Sequence, residues 1–243
     1  ANMCAQVGVE RFIFASSCSM YGAGGENAKT ENDTTAPLTA YAKSKIGVEE
    51  TLKNTFLNSK TKLIFLRFAT ACGVSDRLRL DLVLNDFVAS AIKYKNISIL
   101  SDGSPWRPLI DVSDMAKAII WAIINKFDNT EPLSINIGSN EWNFNVSQLA
   151  KSVAKLIKGT TISFNPNAPK DDRSYQVDFT LYKTLGGSFY PSGTIEQSID
   201  RLAKMISKME LPKDSFRNTK YIRLNHIRHL ISSGKINKQF RWL

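Results

Sequence analysis

Cysteine and histidine are scarce in these 243 residues: Cys4, Cys18 and Cys72, with His226 and His229, are all there are. Three thiols without metal-ligand spacing exclude a disulfide framework and a zinc site, so no metal is expected. No run of about eighteen uncharged apolar residues occurs, which excludes a membrane-spanning helix. The opening Ala1-Asn2-Met3-Cys4-Ala5-Gln6 does not read as a signal peptide. Reduced thiols in a cytoplasm, with no membrane partner, are the expectation. Acidic residues are missing where unbalanced positive charge is densest. After Asp214 there is none, while Arg217, Lys220, Arg223, Arg228, Lys235, Lys238 and Arg241 supply seven positive charges. Subtracting those seven from the net +10 leaves +3 for everything before them. The basic character therefore belongs to one tail. An amphipathic helix packed on its own lobe accounts for that tail, and a nucleic-acid partner is not expected.

What is present is a core-sized apolar content of 43% in two alternating patterns. Arg11 to Ser16, Lys62 to Phe68 and Leu133 to Ile137 are short, nearly continuous apolar runs, the signature of strands buried on both faces. Between and after them, Ala40–Phe56, Leu80–Lys93, Val112–Lys126 and Val146–Ile157 repeat apolar residues at three and four, as helices do. Asp111 with Asp114, and Asn145 with Gln148, have the spacing of capping boxes. Alternating strand and helix predicts an α/β fold whose first strands are parallel neighbours. Beyond about Thr160 the pattern loosens around Pro166, Pro169, Pro191 and Pro212 before two helical stretches, Thr194–Met209 and Thr219–Ser232. The cluster Gly22-Ala23-Gly24-Gly25 precedes a polar turn-rich stretch and reads as a loop.

The chemistry centres on Ser16-Ser17-Cys18-Ser19-Met20-Tyr21-Gly22 at a strand end and Tyr41-Ala42-Lys43-Ser44-Lys45 at a helix start. Tyr41 and Lys45 are four apart and share one helical face, where an ammonium favours the phenolate of its neighbour. A phenol near pKa ~10 needs such help to act as a base at neutral pH. Ser17 is placed to orient a substrate hydroxyl. Taken alone, a Tyr-x-x-x-Lys pair is more commonly a surface pair on an ordinary helix.

The segments FIFASSCSMYG, YAKSK, LRFATACG, LDLVLNDFV, DGSPWRPLIDVSD and DDRSYQVDF, in this order, resemble the extended short-chain dehydrogenase/reductase family, the NAD-dependent epimerase/dehydratase group that acts on nucleotide sugars. The resemblance implies a partial Rossmann-like parallel sheet with a smaller C-terminal substrate lobe. Residues 1–73 and 111–139 would form the C-terminal part of the NAD-binding domain, and 74–110 with 140–243 the substrate lobe. It further implies Ser17, Tyr41 and Lys45 as catalytic residues. Ser16, Tyr41, Lys45 and Phe68 would bind NAD, with NADP as an alternative. Ser17, Thr70, Asn85, Arg107 and Arg173 would bind the nucleotide sugar, Arg107 at its diphosphate, where a guanidinium fork fits a pair of oxygens. For Arg107 an ion pair with Asp111 is the alternative, and for Asn85 and Arg173 a structural role. The reading leaves room for a homodimer.

Three departures from the family shape the expectation. Its glycine-rich turn between first strand and helix does not occur here, so about three βα repeats of roughly thirty residues would lie upstream, and the chain by itself is expected to be inactive. The family's dehydratases carry an acid after the catalytic Ser or Thr, where this chain has Cys18 and Ser19. Thr70 and Cys72 stand where the family usually has Asn and Tyr. Without an acid for water loss, the expected activity is nucleotide-sugar epimerisation: oxidation to a keto-sugar and reduction from the other face. A nucleotide-sugar dehydrogenase or ketoreductase is the alternative, and a noncatalytic polyanion-binding module using the basic tail the second.

Overall fold

The computed structural model describes residues 1–23, 25, 27–127, 131–165, 174–218 and 221–243. In chain order its elements are α1 (Asn2–Val7), β1 (Arg11–Ser17), α2 (Ala40–Thr55), β2 (Lys62–Phe68), β3 (Thr70–Cys72), α3 (Val83–Tyr94), β4 (Asn96–Ile99), β5 (Trp106–Asp111), α4 (Val112–Ile124), β6 (Leu133–Ile137), β7 (Asn143–Asn145), α5 (Val146–Leu156), β8 (Thr161–Phe164), α6 (Thr180–Gly186), α7 (Ile195–Ile206) and α8 (Arg223–Ser232). They fall into two compact units: residues 1–71, 99–148 and 164–193, and residues 72–98, 149–163 and 194–243. Segments 99–110, 140–148 and 164–193, assigned from sequence to the substrate lobe, thus cluster with the sheet.

In the first unit the three apolar runs form one parallel sheet in the order β1-β2-β6, as their pattern predicts. Alternate residues of β2 serve opposite faces. Leu63 and Phe65 pack with Leu52 of α2, with Phe56 just beyond it, and with Phe12 and Phe14. Ile64, Leu66 and Phe68 join Ile135, Ile137, Ala118 and Trp121 on the other face. Burial on both faces is why the run shows no polar alternation. The same period sends Ser16 and Arg67 to the α2 face, next to Phe14 and Phe65.

Helices α2, α4, α5 and α7 start at short polar side chains. Thr39 caps α2, its Oγ1 accepting the Ala42 amide at 3.1 Å. Asn145 and Gln148 make the reciprocal pair read from their spacing, at 2.7 and 3.0 Å. Asp111 and Asp114 depart from the expected box. Asp111 accepts the amide and hydroxyl of Ser113 at 2.9 and 2.8 Å, and Asp114 takes Lys117 Nζ at 2.8 Å. A carboxylate at the third helical position could accept the cap amide, but here it is engaged by a cation three residues on.

After β1 a short 3-10 turn, Cys18–Tyr21, ends at Gly22 with φ +53°. A Cβ there would lie 1.7 Å from the Ala36 carbonyl oxygen, so only glycine allows the 34–38 segment to close on the turn, where the Ala36 amide donates to the Met20 carbonyl at 2.9 Å.

In the second unit α3 and α7 pack together, burying Leu84, Val88 and Ala91 with Ile199, Leu202 and Ile206. A reciprocal Thr194–Gln197 cap starts α7. The basic tail begins with an internal ion pair: Arg217 forks onto Asp86 at 2.9 and 2.8 Å and lies 4.8 Å from the Phe216 ring centroid. Burial raises the Asp86 pKa, and Arg217 opposes that shift. Helix α8 begins at Arg223, later than its periodicity predicts. Leu224 is exposed rather than packed, while Ile227, Leu230 and Ile231 are half-buried. Among the described residues no helix is long and apolar enough to cross a membrane.

Candidate active site at the end of β1

The carboxyl end of β1 and the amino-terminal half of α2 carry three of the sequence candidates, Ser17, Tyr41 and Lys45. Lys45 reaches back from α2 to donate to the Ala15 carbonyl at 2.7 Å. Its ammonium lies 5.5 Å from the Tyr41 ring centroid and 4.7 Å from that of Phe14. Desolvation lowers the Lys45 pKa. An ammonium has three donors, so the bond to Ala15 leaves others for a ligand. Tyr41 is 56% exposed, so its hydroxyl can meet a substrate. Ser17 closes β1, and its Oγ accepts the Ser19 amide at 3.2 Å as the cap of the following turn. That bond uses a lone pair and leaves the hydroxyl proton to donate.

Ser16 does something else. Its hydroxyl points into the interior and donates to Glu49 at 2.5 Å. Glu49 is held by Arg67 through two bonds, at 3.1 and 2.8 Å. Arg67 also donates to the Tyr21 hydroxyl at 3.2 Å, and Tyr21 donates to Asn136 at 2.8 Å. Burial disfavours the guanidinium charge, but Glu49 and Tyr21 outweigh it and hold Arg67 firmly protonated. This buried chain links α2, β1, β2, β6 and the 18–21 turn, the elements that carry Ser17, Tyr41 and Lys45. Its signal is in the sequence: Glu49 is one turn after Lys45 on the face of Ala42 and Leu52, and Arg67 is the one internal charge of an apolar strand.

Glu31 caps the network by accepting the Asn136 amide at 2.8 Å. Burial raises its pKa above the ordinary 4.5, which the bond from Asn136 only partly offsets. A carboxyl with a raised folded pKa costs stability above that pKa, and the cost disappears as pH falls below its unfolded value. Glu31→Gln is therefore expected to be more stable than wild type near pH ~7, with the gap closing toward pH ~4, as read from urea unfolding at a series of pH values. A gap that widened on acidification would contradict this.

The remaining candidates divide. Thr70 is hydrogen-bonded to the Tyr175 phenol, a buried residue not singled out from sequence. Burial raises the Tyr175 pKa, and the charge of Arg107 and the bond from Thr70 oppose that rise. Arg107 is half-buried and donates one bond to the Trp106 carbonyl at 2.8 Å. Phe68 is buried in the core. Asn85 lies in the second unit, where its oxygen accepts the Gly73 amide at 3.1 Å and its nitrogen donates to the Arg79 carbonyl at 2.9 Å, so the amide is engaged by its own loop. Arg173 lies outside the described residues. Cys18 is fully buried and its thiol donates to the Arg67 carbonyl at 2.9 Å. Burial pushes its pKa up, so it cannot serve as an acid near neutral pH. Among the described residues no group of His, Cys, Asp and Glu could hold a metal.

The NAD dependent epimerase/dehydratase family matches residues 1–138. A UDP-glucose epimerase named YtcB of Bacillus subtilis, itself uncharacterised, is 28% identical over 57% of this chain and 42% of its own length. A dTDP-D-glucose 4,6-dehydratase of Mus musculus is 24% identical over 76% of this chain and 53% of its own. The chain spans about half the length of these relatives. Among solved structures, a UDP-glucuronic acid 4-epimerase from Bacillus cereus, in complex with UDP-glucuronic acid and NAD, superposes with a TM-score of 0.71 at 23% identity, over 85% of this chain and 64% of that one. At that identity the likeness is one of fold.

Proposed function

Because the chain belongs to the NAD dependent epimerase/dehydratase family, we propose that it carries the catalytic residues of a nucleotide-sugar epimerase. The observation that carries this reading is the Lys45 ammonium beside the Tyr41 ring at the end of β1. Bound NAD would supply the hydride acceptor, and afterwards the hydride donor, for the sugar carbon. The residues here suit its nicotinamide-ribose end: Lys45 keeps donors for a ribose diol, and Tyr41 stands exposed beside it.

Each chain residue has a definite task in this reading. Tyr41 removes the proton of the sugar hydroxyl as its carbon is oxidised and gives a proton back on reduction. Lys45 stabilises the phenolate and holds the ribose. Ser17 donates to the sugar oxygen and fixes its orientation, and Arg107 with Thr70 engages the substrate beyond the reacting carbon. Orientation and electrostatics are the protein's contribution. The buried, proton-retaining Cys18 thiol supports epimerisation over water loss, since elimination has no acid at that position.

The test is to supply UDP-glucose, UDP-glucuronic acid and NAD to a polypeptide containing all of residues 1–243. The absorbance of reduced cofactor is followed while the sugar products are identified. The epimer should form without net cofactor reduction. Stoichiometric accumulation of reduced cofactor would replace the epimerase by a dehydrogenase.

A further inference from the structure

In the second unit, the loop after β3 and the start of α8 face each other across a cavity of about 320 Å³ lined by Asp76, Arg77, Leu78, Arg79, Tyr221, Arg223 and His226. Its charges are uneven. Arg79 is engaged by Asp81 at 3.1 and 2.9 Å. The side chains of Arg77, Arg223 and His226 make no hydrogen bond or ion pair with any described residue. Asp76 is the one carboxylate in the lining, and the first turn of α8 holds no acid. Two guanidiniums with no partner among the described residues thus share a small cavity with a third that Asp81 neutralises.

The walls are fixed rather than incidental. The Leu80 amide donates to the Tyr221 carbonyl at 3.0 Å, tying the loop to the segment that opens α8. Asn225 donates to the Arg217 carbonyl at 2.7 Å, and Arg217 is itself forked onto Asp86 of α3. Arg77 and Arg223 are therefore carried on backbone already anchored, which lowers the ordering cost of binding. The volume is at the lower end of small-molecule sites. A guanidinium presents paired donors that match two oxygens of a phosphate or carboxylate.

We propose that this cavity binds a small oxyanion, a phosphate ester or a carboxylate, held between Arg77 and Arg223. The inference does not rest on the reaction assigned above. It is tested by calorimetric titration of the 243-residue chain with inorganic pyrophosphate and, separately, with glucuronate at fixed ionic strength. Saturable binding is expected, weakened roughly tenfold or more by Arg77→Gln and by Arg223→Gln. Arg228→Gln, on the same helix but outside the lining, should change it less than about twofold. Tighter pyrophosphate binding identifies a phosphate ligand, and tighter glucuronate binding a carboxylate. In the unmutated chain, the bound anion should protect Arg77 and Arg223, but not Arg228, from an arginine-directed reagent, read by mass spectrometry. Absence of saturable binding, equal loss in all three variants, or unselective protection would overturn the proposal.

Discussion

Replacing Tyr41 by Phe should lower turnover by roughly two to four orders of magnitude, the usual size of a general-base contribution. The substitution deletes one oxygen from a side chain that is 56% exposed, so packing and folding should be untouched. The loss should fall on kcat more than on KM, because the proton moves only in the transition state. Lys45→Ala should act differently. It removes the ammonium beside the Tyr41 ring and the bond to the Ala15 carbonyl, so cofactor affinity should fall along with turnover. Both are measured on a polypeptide that contains the whole chain and turns over a nucleotide sugar. Near-normal turnover in Tyr41→Phe would remove this residue from the mechanism.

Replacing Glu49 by Ala should destabilise the fold by about 3–5 kcal/mol, the range for breaking a buried ion pair by removing one partner. The side chains of Arg67 and Glu49 are only 9% and 5% exposed, so Arg67 would be left charged, buried and unpaired. Ser16 would lose its acceptor as well. The double replacement Glu49→Leu with Arg67→Met should be much milder, because two apolar side chains of similar volume leave no stranded charge. Urea unfolding of the single and double variants measures both, with slopes checked for constancy so that midpoints report stability. A single-variant loss below about 1 kcal/mol would mean that the pair is open to solvent.

Much of this architecture was legible in the amino-acid pattern, and the exceptions have physical causes. The runs at Arg11, Lys62 and Leu133 became adjacent parallel strands because an apolar run with no alternation must be covered on both faces. Glu49 is not legible from sequence because a helical acid is usually solvated. Its position on the inward face and the lone arginine of β2 make sense only together, when strand and helix are seen packed. Asn85 illustrates the reverse. A motif position suggests a ligand contact, yet both ends of its amide satisfy backbone groups of the 73–79 loop, a need that no linear spacing reveals. Tyr175 is not legible either, because a tyrosine in a polar segment gives no sign of burial, and the late start of α8 follows from the hydrogen bond that holds Tyr221 to Leu80.

The assignment of Tyr41 and Lys45 to the nicotinamide-ribose end of NAD is tested most directly by saturation-transfer NMR of NAD with the 243-residue chain, which needs no turnover. The strongest saturation should appear on the nicotinamide-ribose protons, with the adenine protons weaker, and Lys45→Ala should abolish the ribose signal while the fold is retained. Strongest saturation on the adenine, or a ribose signal indifferent to Lys45→Ala, would contradict the assignment of this site.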